Sequence, residues 1–325
     1  MDYLRSSVLR RALKFSTLRR VYSDRTKRIT LQFVVGTLLT SLLVLAFPVI
    51  AFYLGPLLLG IPHLLASLRF SNQNRTTSSA LVPKLLKLTL AVLLLESLGL
   101  ALHLETQFLP ELLAVCGTVW IVSGKWELTA LVGILLGVSQ NRFPLGFALI
   151  LLIGHNFVAF IFWFKACSNS AQRASVLKCL IILLTVSVLV ILAPTNSEKL
   201  SRLLFTGLES EFLKSAVLKL FLLSQAAHYF IWLKAIPEYQ SSAETPAPFS
   251  TTFKNIKSEL GPNSVSICLI LLLAILSITL ASDFEEARQF YILISSFHGL
   301  CEIGILLASL TSSNSTTTEL LKQHR

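Results

Sequence analysis

The sequence predicts an all-α fold, a polytopic transmembrane helical bundle of about ten membrane segments (roughly 8–10), some short or re-entrant. Three observations carry that expectation. Hydrophobic residues make up 54% of the 325 residues and charged ones only 14%, and the mean hydropathy is +0.71, beyond the balance of a soluble globular domain. Apolar runs of about 20 residues recur from Ile29 to Ala308, long enough to cross a hydrocarbon core of roughly 30 Å. No polar block between them is large enough for a separate soluble domain. One membrane domain, 29–310, is therefore expected between a basic leader, 1–28, and a disordered tail, 311–325.

In the leader, Arg5, Arg10, Arg11, Lys14, Arg19, Arg20, Arg25, Lys27 and Arg28 are interleaved with Leu4, Val8, Leu9, Leu13, Leu18 and Val21 at near-helical spacing. That pattern suits an amphipathic helix lying on anionic membrane lipid. The apolar stretch that follows is too long for the core of a signal peptide. The net charge of +11 sits in the leader and the loops, so lipid headgroups are the expected partner and nucleic acid is not.

The membrane segments are expected at 30–54, 56–70, 86–104, 109–123, 127–140, 144–164, 174–194, 214–234, 263–282 and 288–308. With ten crossings and an inside N-terminus, most loop Lys and Arg residues fall inside, among them Arg69, Arg75, Lys84, Lys125, Lys165 and Arg173. Glu105, Glu111, Asp283, Glu285 and Glu286 fall outside. The positive-inside rule then places both termini in the cytoplasm, and the expected location is a bacterial cytoplasmic membrane. The Ser-, Thr- and Pro-rich stretch 237–262 reads as a flexible connector, and 195–211 as an outer amphipathic helix with Leu200, Leu203, Leu204 and Leu208 on one side. The five cysteines show no ligand spacing and read as buried thiols.

Polar side chains inside hydrocarbon are costly and need a reason. Of six histidines, His324 lies in the tail and His103 at the outer end of a segment. The other four, His63, His155, His228 and His298, lie in four different segments. Three are at the midplane, and His228 is four residues further in, about 6 Å at helical rise. Four imidazoles near one level, on four helices, are what a bundle needs to build a metal or haem site in its core. A lone intramembrane histidine more often hydrogen-bonds a neighbouring helix. It is the shared depth that favours ligation.

Glu96 lies near the middle of its segment, and Glu302 stands one turn after His298. Either carboxyl can orient an imidazole or move a proton; the plainer alternative for Glu96 is a protonated acid bonded to a neighbouring helix. Asn156 and Gln225 are candidate hydrogen-bonding partners of the layer. Gly60, Gly154, Ala226, Ala227 and Gly299 permit close helix approach there. The aromatic residues Phe157, Phe160, Phe162, Trp163, Tyr229, Phe230 and Trp232 read as lipid-facing belt residues, or alternatively as the lining of a cavity for an apolar substrate.

Gly60-Ile61-Pro62-His63, within GPLLLGIPHLLASLRF, resembles the Gly-[Ile/Leu]-Pro-His motif of the Brp/Blh family of membrane β-carotene dioxygenases. The resemblance covers four to sixteen residues. It implies an all-helical membrane fold, non-haem iron held by histidines, O₂ as co-substrate and His63 as one iron ligand. Where the family motif continues with Gly-Ala and an Asp, this chain has Leu64, Leu65 and Ala66, and His155, His228 and His298 are single on their helices.

The leading functional expectation is a membrane-embedded metalloenzyme with His63, His155, His228 and His298 as metal ligands and Glu302 or Glu96 as catalytic groups. It would be a non-haem Fe(II) oxidoreductase or dioxygenase using O₂ on a lipid-soluble, carotenoid-like substrate. The alternatives are a b-type haem electron-transfer protein, an ion, proton or small-solute transporter with a His/Glu relay, and a scaffold whose histidines only pack helices. Walker, GxGxxG, HExxH and GxSxG signatures are all absent.

Overall fold

The computed structural model describes residues 15–53, 55, 59, 63, 66, 88, 108–142, 146, 149–195, 200–202, 208–240, 299, 302, 303 and 306. Among these, every element is helical. Among the described residues three helices are long and apolar enough to cross a membrane, so the chain is read as a helical membrane protein. The expected segments 56–70, 86–104, 263–282 and 288–308 lie largely or wholly outside the described residues, as do the connector beyond Gln240 and the tail. The chain divides into two compact units, Met1–Arg69 with Ala159–Ala281, and Phe70–Val158 with Ser282–Arg325.

In the first unit, α1 (Ser16–Ser23) carries exposed Arg19 and Arg20, in keeping with an interfacial helix. It is followed by α2, Arg25–Ala46. Asp24 caps α2 by accepting from the Lys27 N–H at 3.1 Å. The 22 residues of α2 rise about 33 Å, enough to span. The apolar pattern alone runs on to residue 54. The helix instead breaks at Phe47 (φ −140°, ψ 62°) before α3, Pro48–Tyr53, because a residue preceding proline is driven out of the α region. Arg28, assigned by charge pattern to the leader, lies inside α2 and is buried with Glu238 as its partner.

In the same unit α7 (Ser170–Leu192) is capped by Asn169, which accepts from the Gln172 N–H at 2.9 Å. It ends where Pro194 holds Ala193 extended. Helix α8 (Glu211–Phe230) is capped by Ser210 and continues through a π-helical turn, Ile231–Ala235, into α9, Ile236–Gln240. Pro237 has no N–H to give the i−4 carbonyl, and the widened turn before it accommodates the gap.

Three sets of contacts fix the helix directions. Thr30 and Ser175 share a hydrogen bond near the starts of α2 and α7, and the Thr195 hydroxyl donates to the Leu45 carbonyl near their ends. These two helices therefore run parallel. Helix α8 runs against both. Its Lys219 ammonium donates to the carbonyls of Ile191 (3.2 Å) and Ala193 (2.7 Å) at the end of α7, where unpaired carbonyls favour a cation. At the other end, Phe33 meets Phe230 with ring centres 5.5 Å apart.

Of the apolar stretch of α8, 72% is buried, against 28% for α2 and 33% for α7, which makes α8 the central helix of this unit. The outer faces of α2 and α7 are apolar stripes, Leu31, Val35, Leu38, Leu39 and Leu42 on one, Leu177, Ile181, Leu184 and Val188 on the other. Lipid satisfies such surfaces; water does not. Their inner faces carry Thr37, Ser41, Ser175 and Ser187, small polar residues that let helices approach.

The aromatic residues preferred as a lipid-facing belt prove to be mostly interior. Phe160, Phe162, Trp163, Tyr229 and Trp232 are buried, and Phe160 and Trp163 each pack on Phe33 at 5.9 Å. Core and belt draw on the same residue types, so composition does not separate them.

In the second unit, α4 (Phe108–Ser123) and α5 (Trp126–Arg142) form a hairpin. Gly124 turns it at φ 65°, donating its N–H to the Trp120 carbonyl at 2.8 Å. A π-helical turn, Ile150–Gly154, then leads into α6, His155–Ala166, whose residues from Ala159 onward belong to the first unit.

Candidate metal centre

His63 and His228 meet inside the first unit. Their ring centres are 5.1 Å apart with planes at 74°, and they are 6% and 0% exposed. The His63 Nδ1 lies 3.1 Å from the Leu59 carbonyl one turn earlier. A carbonyl only accepts, so Nδ1 carries the proton and Nε2 of the neutral ring bears the lone pair. Metal-binding histidines are set in this way, by a backbone carbonyl on the far nitrogen. Two imidazoles bound at about 2.1 Å to one ion have ring centres roughly 4.7–5.2 Å apart, from cis-octahedral to tetrahedral geometry. The observed pair fits that spacing.

Tyr229 lies over His63 with ring centres 4.4 Å apart, and the Trp232 ring is 6.4 Å from His228. Immediately beside the pair, α2, Ala51, Gly55, Leu59 and α8 enclose a cavity of about 370 Å³. Leu59 and Tyr229 form part of its wall, so they stand between it and the histidines. Gln225, expected as a hydrogen-bonding partner of the layer, lines the cavity.

His155 lies in the second unit and is 5% exposed. Gly299 packs directly on its imidazole: a Cβ at Gly299 would stand 2.9 Å from His155 Cγ and 3.1 Å from Nδ1. Glycine is required there for the ring to lie flat on the backbone. The expectation of small residues at the layer therefore has a specific physical basis at this position. Asn156, buried beside His155, donates from Nδ2 to the Leu152 carbonyl at 3.4 Å. Glu302 is 1% exposed, one turn beyond Gly299.

Each described histidine adjoins a π-helical turn. His155 follows Ile150–Gly154, His228 precedes Ile231–Ala235, and Gly55 and Leu59, upstream of His63, are themselves π-helical. Such widened turns are frequent at functional sites. His298, Glu96, His103 and His324 lie outside the described residues. Among the described residues no three His, Cys, Asp or Glu side chains gather as a ligand set.

Sequence reasoning did not find the charge cluster just beyond the C-terminal end of α8. Arg28 pairs with Glu238 at 2.8 Å, and Lys234 pairs with the same carboxylate. The i,i+4 spacing of Lys234 and Glu238 was the available signal. No protein-family model, curated protein or solved structure matches the chain.

Proposed function

We propose that this helical membrane protein is a multi-pass metalloenzyme, a non-haem iron oxygenase or oxidoreductase acting on a lipid-soluble substrate with O₂. His63 and His228 would hold the Fe(II); His155 and His298 are the further candidate ligands, and Glu302 or Glu96 the candidate group to orient a ligand or move a proton. The observation that carries this reading is the buried imidazole pair, 5.1 Å between ring centres, at the spacing of two ligands sharing one ion. The Leu59 carbonyl supports it by presenting His63 Nε2 as the lone-pair nitrogen. Iron held there would supply O₂ binding and activation. The chain's own residues position it, exclude water through the aromatic packing, and offer an apolar cavity alongside.

The motif Gly60-Ile61-Pro62-His63 supports the choice of iron through its likeness to the Brp/Blh dioxygenases, and a carotenoid-like substrate with it. A ten-crossing bundle with both ends in the cytoplasm is part of the proposal. Parallel α2 and α7 require an odd number of crossings between them, and the five intervening apolar segments supply it. The haem alternative fits this pair less well, because axial rings either side of one iron have centres about 6.4 Å apart.

Metal analysis of full-length protein, purified in detergent without chelator, tests the reading. The expected result is about one iron per chain, lost in His63→Ala and in His228→Ala while helicity is retained. A metal-free wild-type protein, or iron retained after all four histidines are changed to Ala, sinks the idea.

A further inference from the structure

The cavity beside the histidine pair has a shape and one charged end. Its walls run from Phe33 to Leu43 on α2 and from Leu222 to Lys234 on antiparallel α8. Ten residues of helix make it about 15 Å long, parallel to the helix axes. At a volume of about 370 Å³ it is long and narrow, and most of its lining is aliphatic or aromatic. An extended hydrocarbon chain of about a dozen carbons, at roughly 1.25 Å each, matches the length.

The two ends differ. Leu43 and Leu222 close one of them; Lys234 stands at the other. There Lys234 and Arg28 both pair with the carboxylate of Glu238, and Lys234 is the cationic side chain in the cavity wall. Thr37, Thr40 and Gln225 are the polar groups between the ends. They suit weak contacts along a chain rather than a second charge.

We propose that this cavity binds a single-chain fatty carboxylate, its tail along Phe33, Leu43 and Leu222 and its head at Lys234. As a ligand it stands on the cavity alone and does not depend on the histidine-metal reading above.

Gly36 supplies a clean probe. It lines the cavity, and a Cβ there meets nothing within 4 Å, so Gly36→Phe fills the space without displacing the helix. The experiment measures tritiated tetradecanoate binding to full-length protein in a sterol-based detergent, whose rigid rings do not mimic an acyl chain. Saturable binding is expected, tightening with chain length up to about fourteen carbons and no further. Gly36→Phe should abolish it while leaving thermal unfolding at or above the wild-type temperature. Lys234→Gln should weaken tetradecanoate about tenfold and leave tetradecanol unchanged. Absence of saturable binding, undiminished binding by a folded Gly36→Phe protein, or equal weakening of acid and alcohol by Lys234→Gln each overturns the proposal. Iron content of the same samples reports on the metal reading separately, since tetradecanoate binding does not require the metal.

Discussion

The Arg28 guanidinium donates to the Glu238 carboxylate across 2.8 Å, joining positions 210 residues apart in the chain. Arg28 also donates to the Tyr22 carbonyl, and Lys234 holds the other side of the carboxylate. Removing the acid takes from the buried guanidinium the carboxylate it pairs with, whereas removing Arg28 leaves the acid still paired with Lys234. Glu238→Leu should therefore cost about 3 kcal/mol, and Arg28→Leu clearly less. The double variant should recover part of the loss. Thermal unfolding in detergent measures all three, and an equal cost for the two single changes would show that the pair contributes little beyond packing.

Asp24 gives a pH dependence with a defined sign. The Lys27 N–H holds its carboxyl below the ordinary value of 3.8, against an opposing effect of partial burial and with further help from the Lys27 ammonium. A carboxyl whose folded value is depressed contributes fully above its unfolded value and loses that contribution as pH falls through the folded one. The charge-dependent part of the Asp24 contribution is thus present at neutral pH and is lost progressively as pH falls below about 4. Asp24→Ala should destabilise by about 1 kcal/mol at pH 7 and by clearly less at pH 2, where the neutral carboxyl keeps only the capping oxygen. Asp24→Asn keeps a capping oxygen and should cost less. Unfolding curves at the two pH values check both outcomes.

Cys167 lies between α6 and α7, 3% exposed. Burial pushes its thiol up to about 11, with Arg173 pulling part of the way back. Only the thiolate reacts, so at pH 7.5 fewer than about one thiol in a thousand is competent at any instant. With the other four cysteines replaced by Ser, the folded protein should resist maleimide for hours and label within minutes once denatured. Rapid labelling of the folded protein would show that the connection opens readily.

The helix ends were largely legible in the sequence, because caps and breakers act locally. The expected 109–123, 174–194 and 214–234 correspond to Phe108–Ser123, Ser170–Leu192 and the helix from Glu211. The break at Phe47 was not read from the apolar pattern, although Pro48 encodes it. The sequence placed His63 at the midplane of its segment and His228 about 6 Å further in, and the two rings meet. Lateral relations were not legible. Which side of a helix a tryptophan takes, or that Arg28 finds Glu238, depends on partners far along the chain, and a periodicity of one segment does not contain them.

Gly299 and His155 offer the most discriminating substitution. Glycine inside a helix ordinarily costs about 1 kcal/mol relative to alanine, so Gly→Ala at an open helical site should stabilise. Gly36 is such a site, with nothing within 4 Å of an added Cβ, and Gly36→Ala is expected to raise the unfolding temperature. At Gly299 the same methyl would stand 2.9 Å from Cγ and 3.2 Å from Cδ2 of His155, closer than ring carbons tolerate. The imidazole must tilt or withdraw. If His155 is a metal ligand, a displaced ring lowers iron affinity, on the order of tenfold or more, and Gly299→Ala should show lowered iron occupancy even where the fold survives. If His155 only packs helices, the variant changes unfolding temperature alone and iron content stays at the wild-type level. Measuring both quantities on Gly36→Ala and Gly299→Ala side by side therefore separates ligation from packing at this histidine, which the unfolding temperature by itself does not.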